Sequence, residues 1–383
     1  MRKVVFVTGS RGEYGVLRPV LKAIEKSRDL KLSLIATGMH LLPEFGNTAS
    51  EIERDGFKID AKVDMDMSGD TGAAMAKSIG LGVIGIAKAL DDIKPDIVLV
   101  VGDRVEALAA TLAAASMNLP IAHVSGGDVT AGGCIDDSIR HAITKFAHIH
   151  FPGTNESAER IIKLGEDPSR VFMVGNPGVA AKYRISSSEK QRVARSYGID
   201  LDKPVLIVIQ HPVTAETDEA KGQMTETMEA VVSMKEQTFV FYPNADAGGK
   251  AIIDVIKKYE RHPFIKIFKN IPRDDFLVLL GIAHVLVGNS SCGIIEAPSF
   301  GLPVVNIGTR QEGRERADNV IDVGYDRKEI TKAIKKALHD RNFRQRAKRC
   351  KNPYADRGAD EKIVNVLSRI KITPDLLRKK MTY

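Results

Sequence analysis

The stretch DIVLVVGDRVEALAATLAAASMNLPIAHVSGGD, Asp96–Asp128, decides the fold. Ile97–Val101 is an unbroken apolar run of strand-forming residues, as in a strand buried on both faces. Gly102 ends it. The alanine-rich segment Arg104–Asn118 has helical composition, and Pro120 then introduces a second apolar run that ends in Ser125-Gly126-Gly127. A strand, a helix and a second strand of this kind make a parallel crossover. Working outward, the same alternation recurs. KVVFVTG (Lys3–Gly9), LKLSLIATG (Leu30–Gly38), HIHFPG (His148–Gly153) and RVFMVGN (Arg170–Asn176) read as further strands of one sheet. The polar segment Pro177–Pro204 interrupts the pattern. A second series follows in VLIVIQHP, TFVFYPNAD, FIKIFKNI, HVLVGNSS and PVVNIG, between Val205 and Gly308. The expected class is therefore α/β, with two Rossmann-like doubly wound domains. The expected limits are 1–178 for the first domain, 179–203 for a linker, 204–357 for a second, nucleotide-binding domain, and 358–383 for a terminal helix and tail.

Composition narrows the function. The 383 residues carry a net charge of +7, with 43% hydrophobic and 27% charged residues. That is an ordinary globular balance, and the basic excess suits an anionic small substrate. No nucleic-acid module motif is present and aromatics make up only 5%, so no nucleic acid is expected as partner. Cys134, Cys292 and Cys350 form neither a CxxC pair nor a zinc pattern, which fits a reducing compartment. The N-terminal apolar run is too short for a signal segment, and no stretch of about twenty apolar residues is read in the chain. A cytoplasmic protein with no membrane partner is expected.

In open parallel sheets ligands bind beyond the carboxyl ends of the strands. Those ends carry Gly9-Ser10-Arg11, Met39-His40, Asp103-Arg104, Ser125 to Asp128, His211, and Asn289-Ser290-Ser291. Each has a plainer reading beside the functional one. GSRGEYG is spaced G-x-x-G-x-x-G, so it is either a turn before a helix or a loop whose amides and Arg11 meet a phosphate. Asp103 is either a helix cap or a site carboxylate. The GNSSCG segment with Glu296 is more specific: serines and glycines make an anion nest, and the carboxylate lies within reach of a sugar hydroxyl. Asp64–Gly72 resembles a calcium loop only at its first positions and has Met75 where a bidentate glutamate is needed, so no metal is assigned there. His123, His148 and His150 read as structural, and Lys328–Lys351 as a solvated helix face.

Beyond Gly127, Asp128 is followed by Asp136, Asp137, Arg140 and His141 on one helix. Asp136 with Arg140, and Asp137 with His141, have ion-pair spacing. Carboxyl groups beside a diphosphate gain raised pKa values, which suits proton transfer. His211, from the other domain, would join them when a cleft closes.

GSRGEYG, GMH, EFGNT, VGDRVEALAATLAAA, GGDVT…IDDSIRHAITK, QHPVT, NADAGGK and GNSSCGIIEAPSFGLPVVNIGTRQEGR together resemble the hydrolysing UDP-N-acetylglucosamine 2-epimerases of sialic-acid biosynthesis. The resemblance runs from the first strand to about Arg316. It implies the GT-B arrangement, with the active site in an interdomain cleft, and neither cofactor nor metal. It implies a UDP-sugar substrate, elimination of UDP to a 2-acetamidoglucal, and hydration with inversion at C2 to give N-acetylmannosamine. It places Asp103, Asp136, Asp137 and His211 at the chemistry, and Asp128 by inference. Arg11, His40, Arg104 and Arg140 would surround the sugar and diphosphate. Asn289 would lie in the same loop as Ser290 and Ser291, which would hold phosphate, with Glu296 on the ribose and Arg310 on the nucleotide side. A homo-oligomer, dimer or tetramer, is expected. Ser125 stands where the non-hydrolysing branch has a glutamate and Val16 where it has a lysine, which favours hydrolysis. Competing readings are a hydrolysing 2-epimerase of a 2,4-diacetamido-2,4,6-trideoxy nucleotide sugar on the legionaminic-acid route, a non-hydrolysing epimerase, a GT-B glycosyltransferase and a non-catalytic nucleotide-sugar sensor.

Overall fold

The first sheet forms around the crossover just described. In a computed structural model that describes residues 1–65, 69, 71–130, 135–179, 183–355 and 358–383, Ile97–Val101 and Ile121–Val124 pair in parallel across the helix Val105–Ser116. The strands of this sheet are β1 (Arg2–Thr8), β2 (Leu30–Thr37), β3 (Ala61–Val63), β4 (Ile97–Val101), β5 (Ile121–Val124) and β6 (Ile149–Phe151). Their order is β3-β2-β1-β4-β5-β6. The second sheet holds β7 (Val205–Ile209), β8 (Gln237–Phe241), β9 (Ile265–Phe268), β10 (Val285–Gly288), β11 (Val304–Ile307) and β12 (Val320–Val323), ordered β12-β11-β10-β7-β8-β9. Every pairing is parallel. In each sheet the order reverses once, between β1 and β4 and between β7 and β10. Those switch points are where such sheets hold ligands.

Two units result. One comprises Met1–Val129, 135–179 and Tyr354–Tyr383, the other 183–353. The core of the first packs Val4, Phe6, Leu99 and Val101 against Leu17, Leu21 and Ile24 of the helix Arg11–Lys26, with Ile363 and Leu367 of the terminal helix Ala359–Arg369 closing over them. The second sheet is covered on one face by Met224, Met228 and Val231 and on the other by Val193, Phe276 and Leu279.

Five details depart from the sequence reading. The edge strands β3 and β12 are short, each broken by one charged residue and only partly buried, so their runs are too weak to read. Arg170–Asn176 contributes a single bridge, His150 to Val171, rather than a strand, and its Met173 is 40% exposed. The segment read as a linker contains the helix Ser187–Tyr197, capped by a Ser186–Glu189 box and anchored by buried Val193 and Ala194. The terminal helix and tail are part of the first unit. A fifth concerns the apolar-run count. The 22-residue helix Gly72–Ile93, whose charges are Lys77, Lys88, Asp91 and Asp92, is long and apolar enough to cross a membrane by length and composition. The rejected cation loop at 64–72 lies partly outside the described residues, as does Cys134.

Gly288, the last residue of β10, has φ +124, and a Cβ there would sit 2.1 Å from the Ile209 carbonyl oxygen. Gly288→Ala is expected to destabilise the second unit by at least about 2 kcal/mol, read as a lowered urea midpoint. An unchanged midpoint would show that the β7–β10 crossing relaxes freely.

Candidate functional site

Beside the first switch point the chain leaves β4 through Gly102 into Asp103, and the neighbouring β5 through Ser125, Gly126 and Gly127 into Asp128. Gly127 has φ +78, and a Cβ on it would meet the Ser157 carbonyl at 2.2 Å. Only glycine lets the loop pass so close to the helix Asn155–Lys163. The next residue profits: the Ser157 hydroxyl donates to Asp128 Oδ1 at 2.7 Å, and Asp128 is buried. Ser157 is itself fixed by the helix cap Thr154, whose hydroxyl accepts the Ser157 amide at 3.2 Å.

The helix Ile135–Phe146 brings its acidic first turn and Arg140 to the same place. Arg140 is 1% exposed. Its guanidinium donates to Asp137 Oδ1 at 2.9 Å, to the Asp128 carbonyl at 3.0 Å, and to Asp103 Oδ2. Burial works against its charge, but the carboxylates of Asp103, Asp128 and Asp137 outweigh that and raise its pKa above the usual value. The geometry thus unites Asp103, Asp128, Asp137 and Arg140. His141 lies 3.5 Å from Asp137, and Asp136 is half-buried at the start of the helix. A cluster of this kind presents carboxylates held in position by a permanent cation, which is the equipment for moving protons.

Arg104 turns elsewhere. Its Nε donates to Glu106 Oε2 at 3.2 Å. Glu106 is buried against Gly9 and Gly38. The amides of Gly9 and Ser10 both donate to Glu13 Oε2, at 2.8 and 2.9 Å. The loop amides that the sequence offered to a phosphate are therefore engaged by Glu13. Arg11 is half-buried in the first turn of its helix. His40 is fully buried and hydrogen-bonded at both ring nitrogens, to Thr8 at 3.0 Å and Thr48 at 2.7 Å. Burial lowers its pKa to about 4, so it is neutral. That corrects its expected place at the sugar: the ring ties the β1 tip to the 38–48 loop.

In the second unit the switch point is clamped by Asn289. Its Oδ1 accepts the His211 amide at 2.7 Å, and its Nδ2 donates to the His211 carbonyl at 2.9 Å. Both ends of its side chain thus serve the scaffold rather than the expected ligand. The Asn244 amide donates to His211 Nδ1 at 3.1 Å, so the neutral ring carries its proton on Nε2. Arg310 and Gln311 donate to the Asn289 carbonyl at 3.4 and 2.9 Å. Ser290 is buried and Ser291 half-buried beside the short helix Cys292–Ile295. Glu296 is buried and accepts from Arg273 Nη1 at 2.7 Å, an anchor the sequence reading missed.

The family model described as UDP-N-acetylglucosamine 2-epimerase matches residues 22–368. The chain belongs to that family. A Legionella pneumophila relative, a UDP-N,N'-diacetylbacillosamine 2-epimerase (hydrolyzing), is 38% identical over the whole of both chains. A Campylobacter jejuni relative, a GDP/UDP-N,N'-diacetylbacillosamine 2-epimerase (hydrolyzing), is 34% identical over 90% of this chain and 89% of its own. Among solved structures, the UDP-GlcNAc 2-epimerase of Neisseria meningitidis bound to UDP-GlcNAc superposes with a TM-score of 0.80 at 20% identity, covering 95% of this chain and 99% of that one. The two-sheet architecture is thus the fold of this epimerase family. Among the described residues no group of three or more His, Cys, Asp or Glu side chains is placed to hold a metal.

Sequence reasoning missed Glu13, Glu106, Ser157 and Arg273. The Ser10-to-Glu13 spacing of a capping box was the one available signal, and the structure forms that box.

Burial first, and the Glu106 charge second, push Glu13 up to about 8 against the pull of Arg104 and the two amides. The folded value lies above the ordinary 4.5, so folding takes up a proton here. This contribution is complete below about pH 4.5 and is lost as pH rises through about 8. Glu13→Gln is expected to flatten that decline in a calorimetric melting series from pH 5 to 8. A variant with the wild-type slope would place the proton elsewhere.

Proposed function

We propose that this family member is a hydrolysing 2-epimerase of a UDP-linked 2-acetamido sugar. The observation that carries the reading is the buried Arg140 with Asp103, Asp128 and Asp137 around it. One carboxylate takes the C2 proton as the C1–O bond breaks. The electron pair leaves with UDP and a 2-acetamidoglucal remains. Water then adds its oxygen at C1, and a proton reaches C2 on the opposite face. Asp128 and Asp136 are assigned the two proton transfers, with Asp103, Asp137 and Arg140 holding them in place. His211 presents an Nε2–H as a donor to the departing diphosphate. Ser290 and Ser291 are assigned to phosphate, Glu296, aimed by Arg273, to the ribose, and Arg310, Arg104 and Arg11 to the remaining anionic groups.

UDP-N-acetylglucosamine, giving N-acetylmannosamine for sialic-acid synthesis, is the substrate the family name supports. The names of the two relatives quoted favour a second substrate, UDP-N,N'-diacetylbacillosamine, whose sugar is a 2,4-diacetamido-2,4,6-trideoxy hexose. No nicotinamide or metal enters the scheme. Free thiols at Cys292 and Cys350 support a cytoplasmic setting. A homo-oligomer is supported by the helix Gly72–Ile93, which leaves Leu81 44% and Ile84 71% exposed. A second copy would cover that face.

Incubation with each UDP-sugar alone should release UDP and the matching 2-epimer, the diacetamido substrate being turned over faster. In heavy water one deuterium should appear at C2. Asp128→Asn and Asp136→Asn should bind UDP and lose turnover about a hundred- to ten-thousand-fold. Retention of the C2 proton, or near-full activity in both variants, overturns the scheme. Ile84→Glu should shift the light-scattering mass to that of a single chain. An unchanged oligomer would move the interface to another face.

A further inference from the structure

The segment after the last long helix reads as a loose tail, yet the structure fastens it along its length to the first unit. Leu376, in the one-turn helix Pro374–Leu377, is buried in the core. Arg170 donates to the carbonyls of Leu376 at 2.9 Å and Asp375 at 2.6 Å. Met381 and Tyr383 lie over Gly165. Between these anchors Lys379 reaches the carbonyl end of the helix Ile135–Phe146. Its ammonium donates to the carbonyls of Thr144 at 3.3 Å, Lys145 at 2.6 Å and Ala147, and pairs with Glu166 at 2.6 Å. Glu166 is buried and also accepts from Lys145 at 2.6 Å.

The helix so capped is the one that carries Asp136, Asp137 and Arg140. Its twelve residues span about 18 Å at 1.5 Å each. Its middle is fixed by buried Ile139 and Ile143 and by the Arg140 contacts. At its far end the last carbonyls have no partners within the helix, and a cation there opposes the negative end of the helix dipole. Removing the cap leaves the far end to Lys145, which bonds Glu166 and the Leu164 carbonyl, and to the short turn into β6, so the helix gains freedom to tilt about its middle. A tilt at one end moves the acidic first turn at the other. Displacements of about 1 Å cost a reaction on the order of a hundredfold.

We propose that the C-terminal tail is a strap that sets the position of the acidic helix, with Lys379 as a positioning residue for the proton-transfer carboxylates. The proposal rests on the function assigned above. Nothing about it requires the tail to meet a substrate.

The test uses the full-length chain, a Lys379→Met variant, a Lys379→Arg variant and a chain ending at Ile372. Lys379→Met and the shortened chain should lower kcat about ten- to a hundredfold, with KM within twofold of wild type and UDP affinity unchanged. Lys379→Arg keeps a cation at the carbonyls and should recover most of the loss. Hydrogen exchange at amides 137–143 should quicken in the two impaired variants. If Lys379→Met melts at a lower temperature but keeps wild-type kcat and wild-type exchange at 137–143, the strap is only a stabilising contact and the proposal falls. If the wild-type chain turns over no UDP-sugar, the functional reading fails, while the exchange measurement still decides whether the strap holds the helix.

Discussion

A guanidinium buried without partners would be prohibitively costly, so Arg140 dictates what surrounds it. Its partners come from the tip of β4, the loop after β5 and its own helix. Removing one side of a buried pair of this kind costs about 3–5 kcal/mol, so the three elements are locked in one relation. The lock extends inward. The Thr144 hydroxyl donates to the Arg140 carbonyl at 3.0 Å and touches His123 Nδ1 at 3.3 Å, while His123 Nε2 bonds the Gly102 carbonyl at 2.8 Å. Gly102 precedes Asp103, so the chain of contacts closes on itself. Burial lowers His123 to about 3, helped by the nearby Arg140, and a neutral ring is what this position needs beside a permanent cation. The histidine read from sequence as structural is a brace for the site.

The two switch points solve one problem with different chemistry. Parallel strands diverge there and leave backbone groups without ladder partners. The first unit gives its β1 amides to the Glu13 carboxyl and its Asp128 carbonyl to Arg140, whereas the second uses an amide. Asn289 replaces the missing strand partner of His211 by matching both its N–H and its C=O. A carboxamide does this without charge, so an incoming anion meets no fixed negative group from the clamp. The first unit, by contrast, concentrates carboxylates.

The sheets were legible because fully buried parallel strands must be apolar without interruption, as Ile97–Val101 and Val205–Ile209 are. The edge strands Ala61–Val63 and Val320–Val323 were not, since an edge needs no such run. The carboxylates at the strand ends were found because the fold rule points to those positions. Glu13 and Glu106 were invisible for the opposite reason: each sits in the first turn of a helix, where an acid ordinarily faces water. The burial of Glu106 follows from glycines 9 and 38 in separate segments, a coincidence only the folded chain displays. Arg273 and Glu296 are 23 residues apart, and Lys379 and Glu166 farther still. Pairs of that separation leave no periodic mark. His40 was misplaced because position alone favoured a ligand, while Thr8 and Thr48, which consume its ring, lie in different elements.

The glycine-rich turn after β1 opens the helix Arg11–Lys26. By rule such a turn, opening a helix, invites a phosphate. Here its first two amides already hold Glu13. That carboxyl is raised to about 8 chiefly by burial, so near neutrality it stays largely protonated and adds little charge beside Glu106. Buried Glu106 and half-buried Arg104 then offset each other. The first two amides of the turn are thus occupied by the protein's own acid. The turn thereby anchors the helix Arg11–Lys26.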